Sequence, residues 1–103
     1  MTLVAVTACP TGIAHTYMAA ERLEKAGRKI GVPVRVETQG AMGVENELSA
    51  DEIRNAAAVI LAVGIPVLRR ERFAGKPTYE IGVQEAIKNA EAVIRKIQDE
   101  LGR

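Results

Sequence analysis

Two short, almost unbroken apolar runs, Leu3 to Ala8 (LVAVTA) and Ala57 to Val63 (AAVILAV), most restrict the folds open to this chain. Each is the length of a strand rather than of a helix, and neither alternates in polarity. Such strands are buried on both faces, as happens in parallel sheets covered by helices above and below. Two further segments, Val34 to Thr38 and Thr78 to Ile81, mix Arg35, Glu37 and Glu80 with apolar neighbours in rough alternation. That pattern suits edge strands with one wetter side.

Between these segments the period changes to that of a helix. Ile13, Thr16, Ala20, Leu23, Ala26 and Ile30 fall on one face, and Gly31 and Pro33 follow as stop signals, which predicts a helix over 13–30. Gly27 weakens its last turn, since glycine costs a helix interior about 1 kcal/mol relative to alanine. Ser49 followed by Glu52 is a capping-box pattern that announces a short second helix with Ile53 and Ala56 inward. The last helix carries a stripe of Val83, Ala86, Ile87, Ala90, Val93, Ile94, Ile97 and Leu101, with Lys88, Arg95 and Asp99 off it. The expected fold is α/β: a single three-layer domain over residues 1–103, with a four-stranded parallel sheet in the order 2-1-3-4 and helices on both faces, flavodoxin-like or Rossmann-like.

Composition excludes several function classes. The 103 residues carry 14 Lys and Arg against 13 Asp and Glu, a net charge of +1 that leaves no electrostatic footprint for nucleic acid. One cysteine cannot form an internal disulfide, and the first apolar run is too short to span a membrane and lacks the charged start of a signal peptide. The expected setting is therefore cytoplasmic, without direct membrane insertion. Neither G-x-G-x-x-G nor G-x-x-x-x-G-K-[ST] occurs, so no nucleotide loop is expected. One Cys and one His supply too few ligands for zinc, and neither metal nor cofactor is expected.

The lone cysteine, Cys9, stands where the first apolar run gives way to PTGIAHT and then to a helix. Helix N-termini present unpaired N–H groups and the positive end of the helix dipole, which favour a thiolate and an anion alike. In a 2-1-3-4 sheet this position is also the switch point where the strand order reverses, the usual ligand crevice of open α/β sheets. Pro10 forbids continuation of a central strand, Gly12 permits a tight turn, and Thr11 and Thr16 offer hydroxyls. A small buried hydrophobe ending a strand is the plainer reading of Cys9. His15, the only histidine, is readable as a base, as a hydrogen-bond donor to phosphate, or as a surface residue.

CPTGIAHTYMAAERL, then VETQGAMGVENELS, then RFAGK, resemble in order and spacing the three signatures of the fructose-type IIB domain of the bacterial phosphoenolpyruvate-dependent sugar phosphotransferase system. The resemblance implies a phosphotransferase in which Cys9 accepts a phosphoryl group from a phosphohistidine on a IIA partner. A phosphocysteine then passes it to a sugar, fructose by family default, bound by a membrane IIC partner, which would bring this domain to the inner face of the membrane. It also implies that Pro10, Thr11, Gly12, Ile13, Ala14, His15 and Thr16 form a phosphate-cradling loop, and that Gln39 and Gly40 line the neighbouring rim. Phosphoryl transfer asks mainly for positioning and charge stabilisation, which backbone amides at a helix start supply.

Two other readings stand beside this one. A small cysteine phosphatase of similar topology has an arginine six positions after its cysteine, where this chain has His15, and an aspartic general acid, for which only Asp51 and Asp99 are available. A redox or docking module would use a lowered thiol pKa but would need an external thiol. The chain also departs from the family by carrying Gly64 where an aspartate is expected after the third strand. Arg69, Arg70, Arg72 and Lys76 make a basic cluster on the same rim, readable as a solvated face or as a docking site for an acidic partner surface.

Overall fold

The computed structural model describes residues 1–9, 13–40 and 43–102, with the backbone alone of Ile13. Its core is a parallel arrangement of β1 (Leu3–Ala8), β2 (Val34–Gly40), β4 (Ala58–Val63) and β5 (Thr78–Ile81), in the spatial order β2-β1-β4-β5. Among these four strands the expected 2-1-3-4 order holds. The sheet itself corrects the expectation, because a fifth strand, β3 (Gly43–Glu45), hairpins back antiparallel onto β2 and makes the sheet mixed. Three residues, all exposed, give too short a stretch for any period-2 signal.

That added strand also changes the character of β2. It is an interior strand, and Glu37, expected on a wetter side, is fully buried. The alternation in β2 marks polar groups that are satisfied inside the protein rather than by water.

Two layers of unequal thickness cover the sheet. On one face α1 (Ile13–Ile30) and α3 (Val83–Leu101) pack Ala19, Leu23, Ala26, Ala86, Ile94 and Ile97 onto Leu3, Ala5, Val36, Ile60 and Ala62. On the other, α2 (Ala50–Asn55) and a 3₁₀ turn (Arg70–Phe73) set Ile53 and Phe73 against Val4, Val6, Val59 and Leu61. The odd and even residues of β1 thus point to different cores, as the strand pleat requires.

The helix ends follow local chemistry. Ser49 caps α2 with a reciprocal capping box, its side chain accepting from Glu52 N–H and Glu52 accepting from Ser49 N–H. At the end of α1, Gly31 adopts φ +77° and Val32 N–H donates to the Gly27 carbonyl at 2.8 Å, a Schellman closure. Gly27 does not shorten the helix. A Cβ there would lie 2.4 Å from the Val32 carbonyl oxygen and 2.7 Å from Val34 Cγ2, so glycine is what lets the chain turn back so closely onto the helix.

Candidate functional site

β1 is flanked by β2 and β4, and the connections leave its two sides over opposite faces of the sheet: α1 leads to β2, and α2 leads back across to β4. The reversal point is therefore the carboxyl end of β1. Ala8 pairs in register with Gln39 on β2 and Val63 on β4, and Cys9 follows it, half-buried against the α1/α3 core. α1 begins at Ile13, so its N-terminus lies at the same end of the sheet. Pro10, Thr11 and Gly12, the centre of the expected phosphate-cradling loop, lie outside the described residues, as does the side chain of Ile13.

The start of α1 is tied to β1 by a residue that sequence reasoning passed over. Thr7 is fully buried, and its Oγ1 donates to the Thr16 carbonyl at 3.1 Å. Thr16 itself is 2% exposed, whereas Ala14 and His15 face solvent. A threonine inside an apolar strand looks like ordinary β-branched filler, and its hydroxyl is the only signal that it bonds elsewhere.

The opposite wall is built from the segment after β4. Gly64 N–H donates to the Ala8 carbonyl at 2.8 Å, extending the β1–β4 ladder by one bond. Gln39, expected on the rim, is buried instead of lining open space: its Oε1 accepts from Leu68 N–H at 2.9 Å, and its Nε2 donates to the Leu68 carbonyl at 3.3 Å and to Glu37 Oε2 at 2.7 Å. Gly40 beside it is exposed.

Glu37 anchors this network. Arg72 grips it with two hydrogen bonds of 2.8 and 3.0 Å, and Leu48 N–H donates to it at 3.0 Å. Burial opposes its ionisation, but the bonds from Arg72, Leu48 and Gln39 outweigh that cost and hold the carboxyl below its ordinary value. Arg72, one of the cluster readable as a solvated face or as a docking site, thus faces inward and is 12% exposed at its side chain. Arg69 and Arg70 are exposed and pair with Glu47 and Glu80 respectively. Around the same end of the sheet lie the exposed apolar side chains of Tyr17, Met18, Val44, Ile65 and Leu68. Tyr17 OH donates to Glu45, joining α1 to the β2–β3 hairpin.

The family model described as the lactose/cellobiose-specific IIB subunit of the phosphotransferase system matches residues 4–96. The chain belongs to the phosphotransferase-system IIB family. A relative from Escherichia coli K12, the fructose-like EIIB component 2, is 48% identical over 98% of this chain and 95% of its own length. The 2-O-alpha-mannosyl-D-glycerate-specific EIIABC component of the same organism is 56% identical over 92% of this chain, which spans 14% of that longer protein. The solution structure of an Enzyme IIB subunit from E. coli K12 superimposes with a TM-score of 0.92 at 44% identity, covering 98% of this chain and 94% of that one. Phosphoryl transfer within a sugar phosphotransferase system is accordingly the work of this IIB chain. Among the described residues no helix is long and apolar enough to cross a membrane.

Proposed function

We propose that Cys9 is the phosphoryl-carrying residue of this IIB domain. The observation that carries the reading is the position of the only cysteine, at the carboxyl end of β1 where the strand order reverses, in a chain aligned with IIB proteins over nearly its whole length. The Cys9 thiolate attacks the phosphorus of a phosphohistidine on a IIA partner. An S–P bond forms, the P–N bond breaks, and the imidazole leaves with the electron pair and takes up a proton. A sugar hydroxyl held by a IIC partner then attacks the same phosphorus: an O–P bond forms, the hydroxyl proton passes to water, the S–P bond breaks, and the thiolate returns. This is a protein-phosphohistidine–sugar phosphotransferase.

In this reading residues 10–16, which run into the first turn of α1, are the phosphate cradle, with backbone amides at the start of α1 binding the phosphoryl oxygens and His15 as a supporting donor. The exposed Tyr17, Met18, Val44, Ile65 and Leu68 supply an apolar collar on which IIA and IIC dock in turn. Arg69 and Arg70 steer acidic partner surfaces toward it. The relative named as an EIIABC component carries IIA and IIC in its name beside IIB, which supports those two partners; docking on a membrane IIC partner would bring the domain to the inner face of the membrane. The sugar is fructose or a close analogue, after the fructose-like relative.

The test is the intact mass of the protein and of Cys9→Ser after incubation with phosphoenolpyruvate, the general phosphotransferase proteins and a fructose-type IIA domain. One added phosphoryl group on the parent, absent from the variant and discharged by sugar with IIC membranes, is expected. No adduct on the parent, or an equal adduct on Cys9→Ser, overturns the assignment.

A further inference from the structure

The two hydrogen bonds from Gln39 to Leu68 close a ring around the residue that precedes Cys9. Ala8 pairs with Gln39 on one side and with Val63 on the other. The segment 64–68 leaves β4 with Gly64 N–H on the Ala8 carbonyl and returns to β2 with Leu68 on the Gln39 amide. Five residues are therefore fixed at both ends to the strands that flank the carboxyl end of β1. Ile65 and Leu68 turn their apolar side chains outward from this wall, 36% and 59% exposed.

The clamp is chemically exacting. Leu68 offers its N–H and its carbonyl, and the Gln39 amide answers both from one end. The buried Glu37 carboxylate settles which way that amide lies, because Nε2 donates to it at 2.7 Å and the reversed amide would set oxygen against oxygen. Arg72 and Leu48 N–H hold Glu37 in turn, so the orientation is inherited from three separate segments.

We propose that Gln39 is a positioning residue for phosphoryl transfer: by clamping Leu68 it presents the 64–68 segment as the partner-facing wall beside Cys9. The proposal rests on the phosphoryl-transfer reading above. Gln39 does not touch the reacting atoms, since its amide points into the α2 side of the sheet while Cys9 packs on the α1/α3 side. Its effect is therefore on engagement of the phosphoryl donor rather than on the bond-making step.

Gln39→Glu places a second carboxylate against Glu37 and removes one of the two donors to the Leu68 carbonyl, Arg72 Nη2 being the other at 3.3 Å; Gln39→Met keeps the bulk and removes both bonds between residue 39 and Leu68. The measurements are the initial rate of phosphorylation as a function of phosphorylated IIA concentration, and amide hydrogen exchange at Leu68. For both variants the half-saturating IIA concentration is expected to rise about tenfold, the size of effect that losing hydrogen bonds of this kind produces, with the limiting rate nearly unchanged. In Gln39→Met, which removes the acceptor of the Leu68 N–H, exchange at Leu68 should quicken by a similar factor while amides in β1 and β4 keep their protection. General destabilisation would instead quicken exchange everywhere and lower the limiting rate at unchanged half-saturation, and that pattern overturns the proposal. So does a loosened Leu68 with unaltered IIA dependence, or a Leu68 amide that exchanges no faster in Gln39→Met. A parent protein that takes no phosphate from IIA removes the transfer reading itself, and this proposal with it.

Discussion

Replacing Gly27 by alanine sets two physical effects of opposite sign against each other, and the geometry decides between them. Helix propensity alone makes Gly27→Ala stabilising by about 1 kcal/mol, since the residue lies inside α1. The added methyl would sit 2.4 Å from the Val32 carbonyl oxygen and 2.7 Å from Val34 Cγ2. Val34 can yield a little, but the Val32 carbonyl cannot, because it lies between two anchored groups: Val32 N–H on the Gly27 carbonyl at 2.8 Å, and the Pro33 carbonyl, which accepts from Leu3 N–H at 2.9 Å. Relief requires α1 to lift from β2 or one of these bonds to break. Overpacking of this kind costs about 1–3 kcal/mol and a lost hydrogen bond about 1 kcal/mol more, so the net change is roughly 2 kcal/mol of destabilisation. For a domain of this size that lowers the Tm by roughly 10 °C. Thermal and urea unfolding followed by circular dichroism measure it, with Gly82→Ala as the comparison, because a Cβ at Gly82 meets nothing within 4 Å. A Gly27→Ala protein as stable as the parent, or more so, would refute the close-approach argument and return the residue to simple propensity.

Two further outcomes follow from the charges. Glu37 and Glu52 both have folded pKa values below their ordinary 4.5, Glu52 down to about 2 through the Arg35 hydrogen bonds and its cap to Ser49. Groups depressed in this way stabilise the fold fully above about pH 4.5 and lose that contribution as pH falls through the folded values. Urea midpoints measured between pH 6 and 3 should therefore decline, and Glu37→Gln should flatten the decline; an equally steep fall in that variant would count against a buried charged Glu37. The exposed pairs Arg69–Glu47 and Arg70–Glu80 contribute little to stability, so Arg69→Glu combined with Arg70→Glu should shift the Tm only slightly. The same double variant should slow phosphorylation by IIA at low salt and approach the parent rate at high salt, and equal rates at low salt would end the steering role.

What the sequence made legible was whatever a period or a cap can encode. The unbroken runs Leu3–Ala8 and Ala57–Val63 placed both central strands, and the stripe on 13–30, the Ser49–Glu52 box and the stripe from Val83 placed the three helices. β3 was illegible because three exposed residues carry no alternation, and its absence from the reading made β2 look like an edge. Glu37 was misread for the same reason. A carboxylate in a strand signals solvent unless its partner is known, and Arg72 lies 35 residues away in a turn that no local pattern announces. Cys9 stood out because it is the only cysteine and ends an apolar run, whereas Thr7 and Gln39, which brace the two sides of the site, act through hydrogen bonds to distant backbone that sequence spacing does not record.

The uneven covering of the sheet explains where the Gln39 brace lies. α1 and α3, of 18 and 19 residues, cover one face with largely apolar packing, to which the buried Thr7 hydroxyl adds a single polar tie to the Thr16 carbonyl. The other face has only the six residues of α2 and a single 3₁₀ turn, too little apolar surface to close over β2 and its neighbours. Arg35 with Glu52, and Arg72 with Glu37 and Gln39, occupy the remainder. A buried ion pair of this kind adds little net stability compared with well-packed hydrophobic residues, because desolvation offsets the attraction. Its distinguishing property is directional: the donors of Gln39 and Arg72 are matched to the Glu37 carboxylate and the Leu68 carbonyl, and a shift of the 64–72 segment by one residue would leave buried polar groups unpaired at about 1–3 kcal/mol each. The thin face therefore exchanges apolar cover for register, and it does so on the segment that leads from β4 past the end of β1. On the proposed reading, a carrier that meets one partner to receive a phosphoryl group and another to give it away needs the wall beside Cys9 in one position for both encounters, and the polar clamp would provide that where packing alone would not.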